Sequence, residues 1–263
     1  MISLATRAAL TAVVLHFAIG THPVAARGGG GNVAATYGGW FTQTFNIPGN
    51  PELEVTFSRA SNDNKLVLFM FTGCQDYAPA QLDFFSDVTR KANRAGLHTA
   101  IWSSADARDK EDHCAGRVSL KERVDDALRV QKYFREKGIA TRFVGIGESQ
   151  GANILTQLSG KPGWESFLAI MPQCDLFTPV GSAKMIAFAG DKDDAAPGAA
   201  CARWKAEVHR GADAYHGWPY PRHIGGTSFT RPDGKTSQRL YNADLAKRLD
   251  VRMEQWFREL VAR

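Results

Sequence analysis

Residues 147–151 read Gly-Glu-Ser-Gln-Gly and place Ser149 between two glycines. The preceding residues, 141–146, predict a buried strand, and apolar residues recur at helical spacing over 152–158. A strand that turns sharply into a helix through Gly-x-Ser-x-Gly presents the serine hydroxyl at the tip of the turn, where it can act as a nucleophile. The glycines are needed because a β-carbon at either position would clash as the helix packs on the strand. The alternative is an ordinary strand–turn–helix with a surface serine.

A serine hydroxyl is a weak nucleophile at neutral pH and needs a base within hydrogen-bond reach, which a carboxylate must orient. Downstream of Ser149, the acids cluster at Asp191, Asp193 and Asp194, directly after a predicted strand over residues 185–189. Such acids fall on the same sheet edge as Ser149, because parallel strands end at a common edge. A metal site and a solvated turn are the alternatives, although no other ligand group lies nearby in sequence.

Three histidines downstream of Ser149 are candidate bases: His209, His216 and His223. His216 is favoured because its small and aromatic neighbours indicate a packed loop. His209 falls within a predicted strand or helix end, and His223 lies in a loop rich in glycine and proline. The residues therefore predict a Ser149–His216 pair oriented by one of three aspartates that spacing alone barely separates.

Strands and helices alternate from residue 65 onward, which predicts a mainly parallel sheet with helices on both faces. The nearly continuous apolar run at residues 65–71 predicts a central strand buried on both sides. A polar stretch, residues 103–117, predicts a long loop that contains Cys114. The predicted strands are residues 40–47, 53–58, 65–71, 97–102, 141–146, 167–171 and 185–189, and helices are predicted at 79–95, 119–137, 242–261 and directly after Ser149.

The length and composition fit one α/β domain, which we assign to residues 39–263. The chain has 263 residues, of which 44% are hydrophobic, enough for a large core. Residues 27–38 are glycine-rich and predicted to be flexible. The formal net charge is +5, but the basic residues are scattered without an aromatic–basic array, so no nucleic-acid partner is expected.

The first 26 residues are predicted to be a secretory signal that is removed. Arg7 precedes an apolar run at residues 8–20 that is too short to span a bilayer, and small residues at 24–26 fit a signal-peptidase site near Ala26. An uncleaved membrane anchor is the alternative. We therefore expect a periplasmic or secreted protein with no stable membrane anchor.

The four cysteines indicate two disulfides, because an even count in an exported protein favours pairing. Three pairings are possible. No Cys-x-x-Cys or Cys-x-x-His occurs, so no zinc site is expected.

Several motifs together resemble the dienelactone hydrolase family, and in particular its exported, cysteine-containing bacterial branch. The resemblance covers roughly residues 62–260. In that branch a Gly-Cys follows the central strand, a second cysteine precedes a long helix, a Pro-x-Cys follows the next strand after the serine helix, and a fourth cysteine follows the acid loop. The matching residues are Gly147–Gly151, Gly190-x-x-Asp193-x-x-x-Pro197, Gly211-Ala212, His216-Gly217-Trp218, Gly73-Cys74, Cys114, Pro172-Gln173-Cys174, Cys201 and Tyr241-Asn242-Ala243-Asp244.

The resemblance implies an α/β-hydrolase fold, with three layers and a mainly parallel sheet of about eight strands between helices. It implies Ser149 as nucleophile, Asp193 as acid and His216 as base. It also implies the disulfides Cys74–Cys114 and Cys174–Cys201. Backbone N–H groups of Gln150 and Cys74 are expected to form the oxyanion hole. No cofactor and no metal is expected.

Three positions depart from the family pattern. Thr72 stands where the family usually has histidine, and Trp218-Pro219 stands where it has Phe-Asp. The stretch from Cys201 to His216 is also short, so the helix usual there must be trimmed.

The sequence thus predicts an exported serine hydrolase that cleaves an ester, lactone or related acyl substrate through an acyl-enzyme. A non-catalytic binding protein of the same fold is one alternative. A small serine peptidase is another, although such peptidases usually carry an extra domain for which this chain has no room. The expected partner is a small acyl substrate, and the sequence determines neither its identity nor the oligomeric state.

Overall fold

The computed structural model describes residues 42–231 and 233–263, which build an eight-stranded sheet and a separate two-stranded hairpin. The sheet has the order β1-β2-β4-β3-β5-β6-β7-β8, with antiparallel pairing at β1–β2 and β2–β4 and parallel pairing elsewhere. The strands are β1 (Thr42–Ile47), β2 (Leu53–Ser58), β3 (Leu66–Phe71), β4 (His98–Trp102), β5 (Arg142–Glu148), β6 (Trp164–Ile170), β7 (Lys184–Gly190), β8 (Glu207–Gly211), β9 (Thr227–Thr230) and β10 (Thr236–Arg239).

Strand β3 lies inside the sheet, between β4 and β5, and all six of its residues are buried. Val67, Phe69 and Phe71 contribute to the core on one side. Leu66, Leu68 and Met70 contribute to the core on the other side. An apolar side chain at every position is what a strand covered on both faces requires, so the predicted central strand is confirmed.

Four α-helices within the described residues cover the two faces of the sheet. Helices α2 and α3 pack on the face that contains Phe69, and helices α1 and α4 pack on the face that contains Leu68. This gives the three layers that the sequence predicts, with a mainly parallel sheet in the middle. The helices are α1 (Pro79–Ala95), α2 (Leu120–Glu136), α3 (Gln150–Leu158) and α4 (Ala243–Val261).

The helix ends follow from local residues. Ser119 and Glu122 form a reciprocal capping box at the start of α2, and the Asn242 side chain accepts the Leu245 N–H at the start of α4. Gly96 ends α1 in a left-handed conformation with φ of 98°. None of the helices in the described part of the chain is both long and apolar enough to cross a membrane.

The structure differs from the predicted elements at the edge of the sheet, in the separate hairpin and at the ends of individual strands. The β9–β10 hairpin is not predicted, because its short segments are polar and lack an apolar alternation. The segment around His209, predicted as a strand or a helix end, is strand β8. Strand β6 begins three residues before the predicted start at 167, and β1 is described from Thr42. The predicted signal at 1–26 and the flexible stretch at 27–38 lie outside the described residues.

Two disulfides link the loops at the carboxyl edge of the sheet, and their pairing is the one that the family resemblance implies. Cys74, directly after β3, is bonded to Cys114 in the polar loop before α2. Cys174, after β6, is bonded to Cys201 in a short 3-10 helix after β7. In the chain-entropy model, crosslinks over 40 and 27 residues each stabilise a fold by about 3–4 kcal/mol.

Gly151 offers a test of the close contact between α3 and β3. A β-carbon at this position would lie 2.5 Å from the Thr72 carbonyl oxygen and closer still to that of Phe71. Because rigid backbone cannot yield as a side chain can, we expect Gly151→Ala to lower the free energy of unfolding in urea by about 3 kcal/mol or more. Gly225→Ala is the matched control, since nothing lies within 4 Å of its β-carbon position, and it should change stability by less than about 1 kcal/mol. Equal stability of the two variants would contradict the packing described.

Candidate active site

Ser149 lies at the turn between β5 and α3 with φ of 51° and ψ of −119°. Such a conformation costs a non-glycine residue on the order of 1–3 kcal/mol, so the surrounding structure must impose it. The Ser149 N–H donates to the Ile170 carbonyl of β6 at 2.8 Å, which fixes the turn to the neighbouring strand. At Gly147 a β-carbon would lie 2.5 Å from the Gly151 carbonyl oxygen. Both glycines of the motif are therefore required by close backbone packing.

Asp193 and His216 form a buried pair. Asp193 follows β7 and is 1% exposed, and His216 follows β8 and is 8% exposed. The distance from His216 Nδ1 to Asp193 Oδ2 is 2.8 Å. An ionised carboxylate only accepts, so Nδ1 carries the hydrogen and Nε2 of the neutral ring is left as an acceptor. The other oxygen, Oδ1, accepts the N–H groups of Ala195 at 3.0 Å and Ala196 at 2.9 Å.

The other two acids of the cluster face elsewhere. Asp191 pairs with Arg210 at 2.6 Å, and the Asp194 carboxylate lies 3.7 Å from the Arg231 guanidinium. Of the three aspartates, only Asp193 contacts His216. Their divergent directions also argue against the metal alternative, and within residues 42–231 and 233–263 no group of three metal-ligating side chains is found.

The other two candidate histidines do not contact an acid of this cluster. His209 lies in β8, where it stacks on Phe188 with ring centroids 4.4 Å apart and pairs with Glu207 at 2.8 Å. His223 lies beside the site, and its Nδ1 is 3.1 Å from the Gly217 carbonyl oxygen.

One cavity of about 840 Å³ contains both Ser149 and His216 in its lining. Its volume is within the range of small-molecule sites. No hydrogen bond joins Ser149 Oγ to the His216 ring, although both residues are among those described. Such bonds are often long before substrate binds. The apolar part of the wall includes Ala78, Ala80, Met171, Leu176, Tyr220 and Phe229.

The two expected oxyanion residues line the same cavity. Gln150 is the first residue of α3, and Cys74 lies on the segment of residues 72–76 after β3, which we call the oxyanion loop. Neither backbone N–H donates to an acceptor within the described residues. The Arg123 guanidinium donates to the Thr72 carbonyl at 2.7 Å and to the Gln150 side-chain oxygen at 2.8 Å, so it joins the two segments from behind.

Thr72, the first departure from the family pattern, contacts Asp76 at the other end of the oxyanion loop. Its hydroxyl donates to Asp76 Oδ1 at 2.7 Å, and the Ser103 hydroxyl donates to the other oxygen. Burial raises the pKa of Asp76 to about 6, while the hydrogen bonds from Ser103 and Thr72 and the charge of Arg123 oppose that rise. Arg123 and Asp76 are not predicted from the sequence, because Arg123 contacts Thr72 from 51 residues away and Asp76 contacts Ser103 from 27 residues away.

A hairpin that the sequence did not predict covers His216. The Phe229 ring of β9 lies 5.2 Å from the His216 ring, and the Arg239 guanidinium of β10 lies over Phe229 at 4.4 Å. A backbone bridge also links His216 to Arg239. Trp218, the second departure, is fully buried in the core on the α1 and α4 side. Trp218 therefore anchors the histidine loop in the core and does not line the cavity.

The electrostatic surroundings of His216 favour its charged form. Burial lowers the pKa of His216, but the Asp193 carboxylate and its hydrogen bond, with a contribution from Glu148, outweigh burial and hold the pKa above its ordinary value. The charge of Arg239 opposes this rise. The imidazolium that forms when His216 takes a proton is thus stabilised in place.

The comparison with known proteins supports the assignment of the fold. The protein has the α/β-hydrolase fold, in which a Gly-x-Ser-x-Gly turn, an acid and a histidine follow in this chain order. No family model matches the chain. No curated protein matches it in sequence.

Solved structures with the same fold include dienelactone hydrolases, serine hydrolases and an esterase, all of low sequence identity. A Klebsiella pneumoniae protein assigned to the dienelactone hydrolases superposes with a TM-score of 0.60 at 16% identity, covering 82% of this chain and 98% of that one. Est1E from Butyrivibrio proteoclasticus gives 0.57 at 12% identity, covering 84% and 99%. XC6422 from Xanthomonas campestris, an α/β serine hydrolase without lid, gives 0.52 at 15% identity, covering 66% and 85%.

The Asp193–His216 contact can be measured directly by NMR titration of the imidazole. We expect the pKa of His216 to lie above its ordinary value and to fall in Asp193→Asn, because the amide removes the negative charge and leaves burial to favour the neutral ring. Asp191→Asn is the matched control and should leave the His216 titration unchanged, since Asp191 pairs with Arg210. An unchanged titration in Asp193→Asn would show that another residue orients the histidine.

Proposed function

We propose that this protein is an exported serine hydrolase that cleaves an ester, lactone or related acyl bond through an acyl-enzyme. The observation that carries the proposal is the strained turn of Ser149 in the same cavity as the buried His216–Asp193 pair. Glycine would adopt φ of 51° at lower cost, so a serine at this position carries backbone strain of the kind that clusters at functional sites. The fold of the neighbouring structures, which include hydrolases and esterases, supports the same conclusion.

The arrangement supplies each step of acyl transfer. Ser149 Oγ attacks the substrate carbonyl carbon, and His216 Nε2 takes the hydroxyl proton. Asp193 holds the ring through Nδ1 and stabilises the imidazolium. The carbonyl oxygen becomes an oxyanion that accepts from the Gln150 and Cys74 N–H groups. His216 then returns the proton to the leaving group, and water releases the acyl group by the same steps.

The size and lining of the cavity favour a small, partly apolar substrate. A volume of about 840 Å³ with a wall that includes Met171, Tyr220 and Phe229 accommodates an ester of moderate size. One of the neighbouring structures is Est1E with ferulic acid bound. Together these features support esters or lactones of small acids as the substrate class.

Export is supported by the two disulfides. Disulfides persist in oxidising compartments such as the periplasm or the extracellular space and are rare in the cytosol. The four cysteines of the chain are all paired in the structure. We therefore propose that the protein acts outside the cytoplasm, as the predicted signal at residues 1–26 also indicates.

A non-catalytic binding protein is the second candidate, and the missing hydrogen bond between Ser149 and His216 favours it. A fluorophosphonate probe separates the two, because stable labelling needs an activated serine. A small serine peptidase would use the same set of residues. Comparing the rates of hydrolysis of p-nitrophenyl esters and peptide anilides distinguishes the esterase from the peptidase.

Ser149→Ala tests the nucleophile. We expect it to abolish fluorophosphonate labelling and to lower kcat for p-nitrophenyl acetate by on the order of 10⁴–10⁶, because no other group replaces a lost nucleophile. The far-ultraviolet circular dichroism should match that of the unmodified protein. Residual activity within about tenfold of the unmodified protein would exclude Ser149 as the nucleophile.

The three aspartates can be ranked by kinetics. Asp193→Asn should lower kcat by about 10³–10⁴, since the amide leaves His216 in the wrong tautomer. Asp191→Asn and Asp194→Asn carry the same chemical change on neighbouring residues that face Arg210 and Arg231, and each should cost less than about tenfold. A large loss in either of these, with Asp193→Asn unaffected, would assign the acid to the other residue.

A further inference from the structure

Glu148, the residue directly before Ser149, is a buried acid that the mechanism above does not use. It is 2% exposed and lines the cavity. Its Oε1 accepts two hydrogen bonds, one from the Gly73 N–H of the oxyanion loop and one from the Gln81 side chain of α1. A single carboxylate oxygen thus joins the serine turn, the oxyanion loop and the first helix.

The fit between Glu148 and the loop is close. A β-carbon at Gly73 would lie 2.9 Å from Glu148 Cδ and 2.8 Å from the Gln81 side-chain nitrogen. Only glycine leaves room for the carboxylate at this point, and glycine also gives the loop its greatest rotational freedom. Glu148 holds the N–H end of the Thr72–Gly73 peptide, whose carbonyl end is held by Arg123.

The other contacts of the oxyanion loop hold different atoms. Arg123 holds the Thr72 carbonyl at 2.7 Å, the Asp76 N–H donates to the Gly73 carbonyl at 3.3 Å, and the His113 N–H donates to the Cys74 carbonyl at 2.8 Å. The disulfide holds the Cys74 side chain. Without Glu148, the Gly73 N–H would be left without its acceptor, and a turn of that peptide toward another acceptor would also turn the adjacent Cys74 N–H.

We propose that Glu148 is a positioning residue that anchors the oxyanion loop through Gly73 and thereby aims the Cys74 N–H at the reacting carbonyl oxygen. This inference rests on the proposed serine-hydrolase function. Glu148 does not itself contact the reacting atoms in this mechanism. It acts through the backbone of the loop by accepting a hydrogen bond. A test must therefore compare side chains at position 148 that have an acceptor oxygen with side chains that lack one.

The anchor depends on the acceptor and not on the charge. Burial raises the pKa of Glu148, and His216, Tyr220, the Gly73 N–H and Arg239 oppose that rise. Arg123 is a further charge that faces it. Both an ionised and a neutral carboxyl group present an oxygen to the Gly73 N–H, and so does the side-chain amide of glutamine.

The test compares kcat and KM for p-nitrophenyl acetate among Glu148→Ala, Glu148→Gln and the unmodified protein. Glu148→Ala should lower kcat by about 10²–10³, the usual effect of losing one oxyanion donor, with KM within about threefold. Glu148→Gln should restore kcat to within about tenfold of the unmodified protein. Where Glu148→Ala fails to fold by circular dichroism, Glu148→Leu keeps the volume without an acceptor and should show the same loss.

Asp126→Ala is the matched control for general loss of stability. Asp126 is also a buried acid, but it pairs with Arg108 at 2.8 Å and does not contact the oxyanion loop. It should lower the melting temperature while leaving kcat within about threefold.

Two outcomes overturn the inference while leaving the proposed function in place. One is a Glu148→Ala or Glu148→Leu variant with kcat within about tenfold of the unmodified protein, and the other is a Glu148→Gln variant as slow as Glu148→Ala. If the unmodified protein neither hydrolyses the ester nor reacts with a fluorophosphonate, the proposed function itself is wrong, and the inference is wrong with it.

Discussion

The close approach of α3 to the middle of the sheet is the constraint on which the site depends. Gly147 and Gly151 allow the helix backbone to lie against β3 and β5 without intervening β-carbons. The chain must therefore reverse direction within one residue, and Ser149 takes the strained conformation with φ of 51° that such a turn requires. The same geometry directs the amino end of α3 at the cavity, where a negative charge would be stabilised by the helix.

The remaining groups come together because the sheet is parallel around Ser149. Strands β5, β7 and β8 all end at the same edge, so the loops after them deliver Ser149, Asp193 and His216 to one place. Hydrogen bonds from Ala195 and Ala196 leave Asp193 a single direction in which to accept from His216. The Phe229 ring lies 5.2 Å from the His216 ring, and Trp218, two residues after the histidine, is fully buried in the core.

The parts of this arrangement that the sequence predicts are those set by local patterns. The apolar run of β3, the capped helices and the Gly-x-Ser-x-Gly turn each depend on neighbouring residues, and the predicted fold and most of its elements are confirmed. The hairpin over His216 was missed, because four-residue polar strands carry no periodic signal. The contact between Glu148 and Gly73 was missed as well, since the two residues lie 75 positions apart. The one sequence feature that points to this contact is the position of Glu148 directly before Ser149.

The burial of ionisable groups around the oxyanion loop is explained by the hydrogen bonds that they make to the loop. Asp76, Arg123 and Glu148 are each 3% exposed or less, although burying ionisable groups opposes folding unless each is well paired. Arg123 holds the Thr72 carbonyl, Asp76 accepts from the Thr72 hydroxyl, and Glu148 accepts from the Gly73 N–H. All three therefore act on the two residues before Cys74. Apolar contacts have no preferred direction, whereas hydrogen bonds are directional, so these contacts orient the peptide groups that they hold. The three buried groups thus give the loop a fixed orientation, which the proposed role of the Cys74 N–H as an oxyanion donor requires.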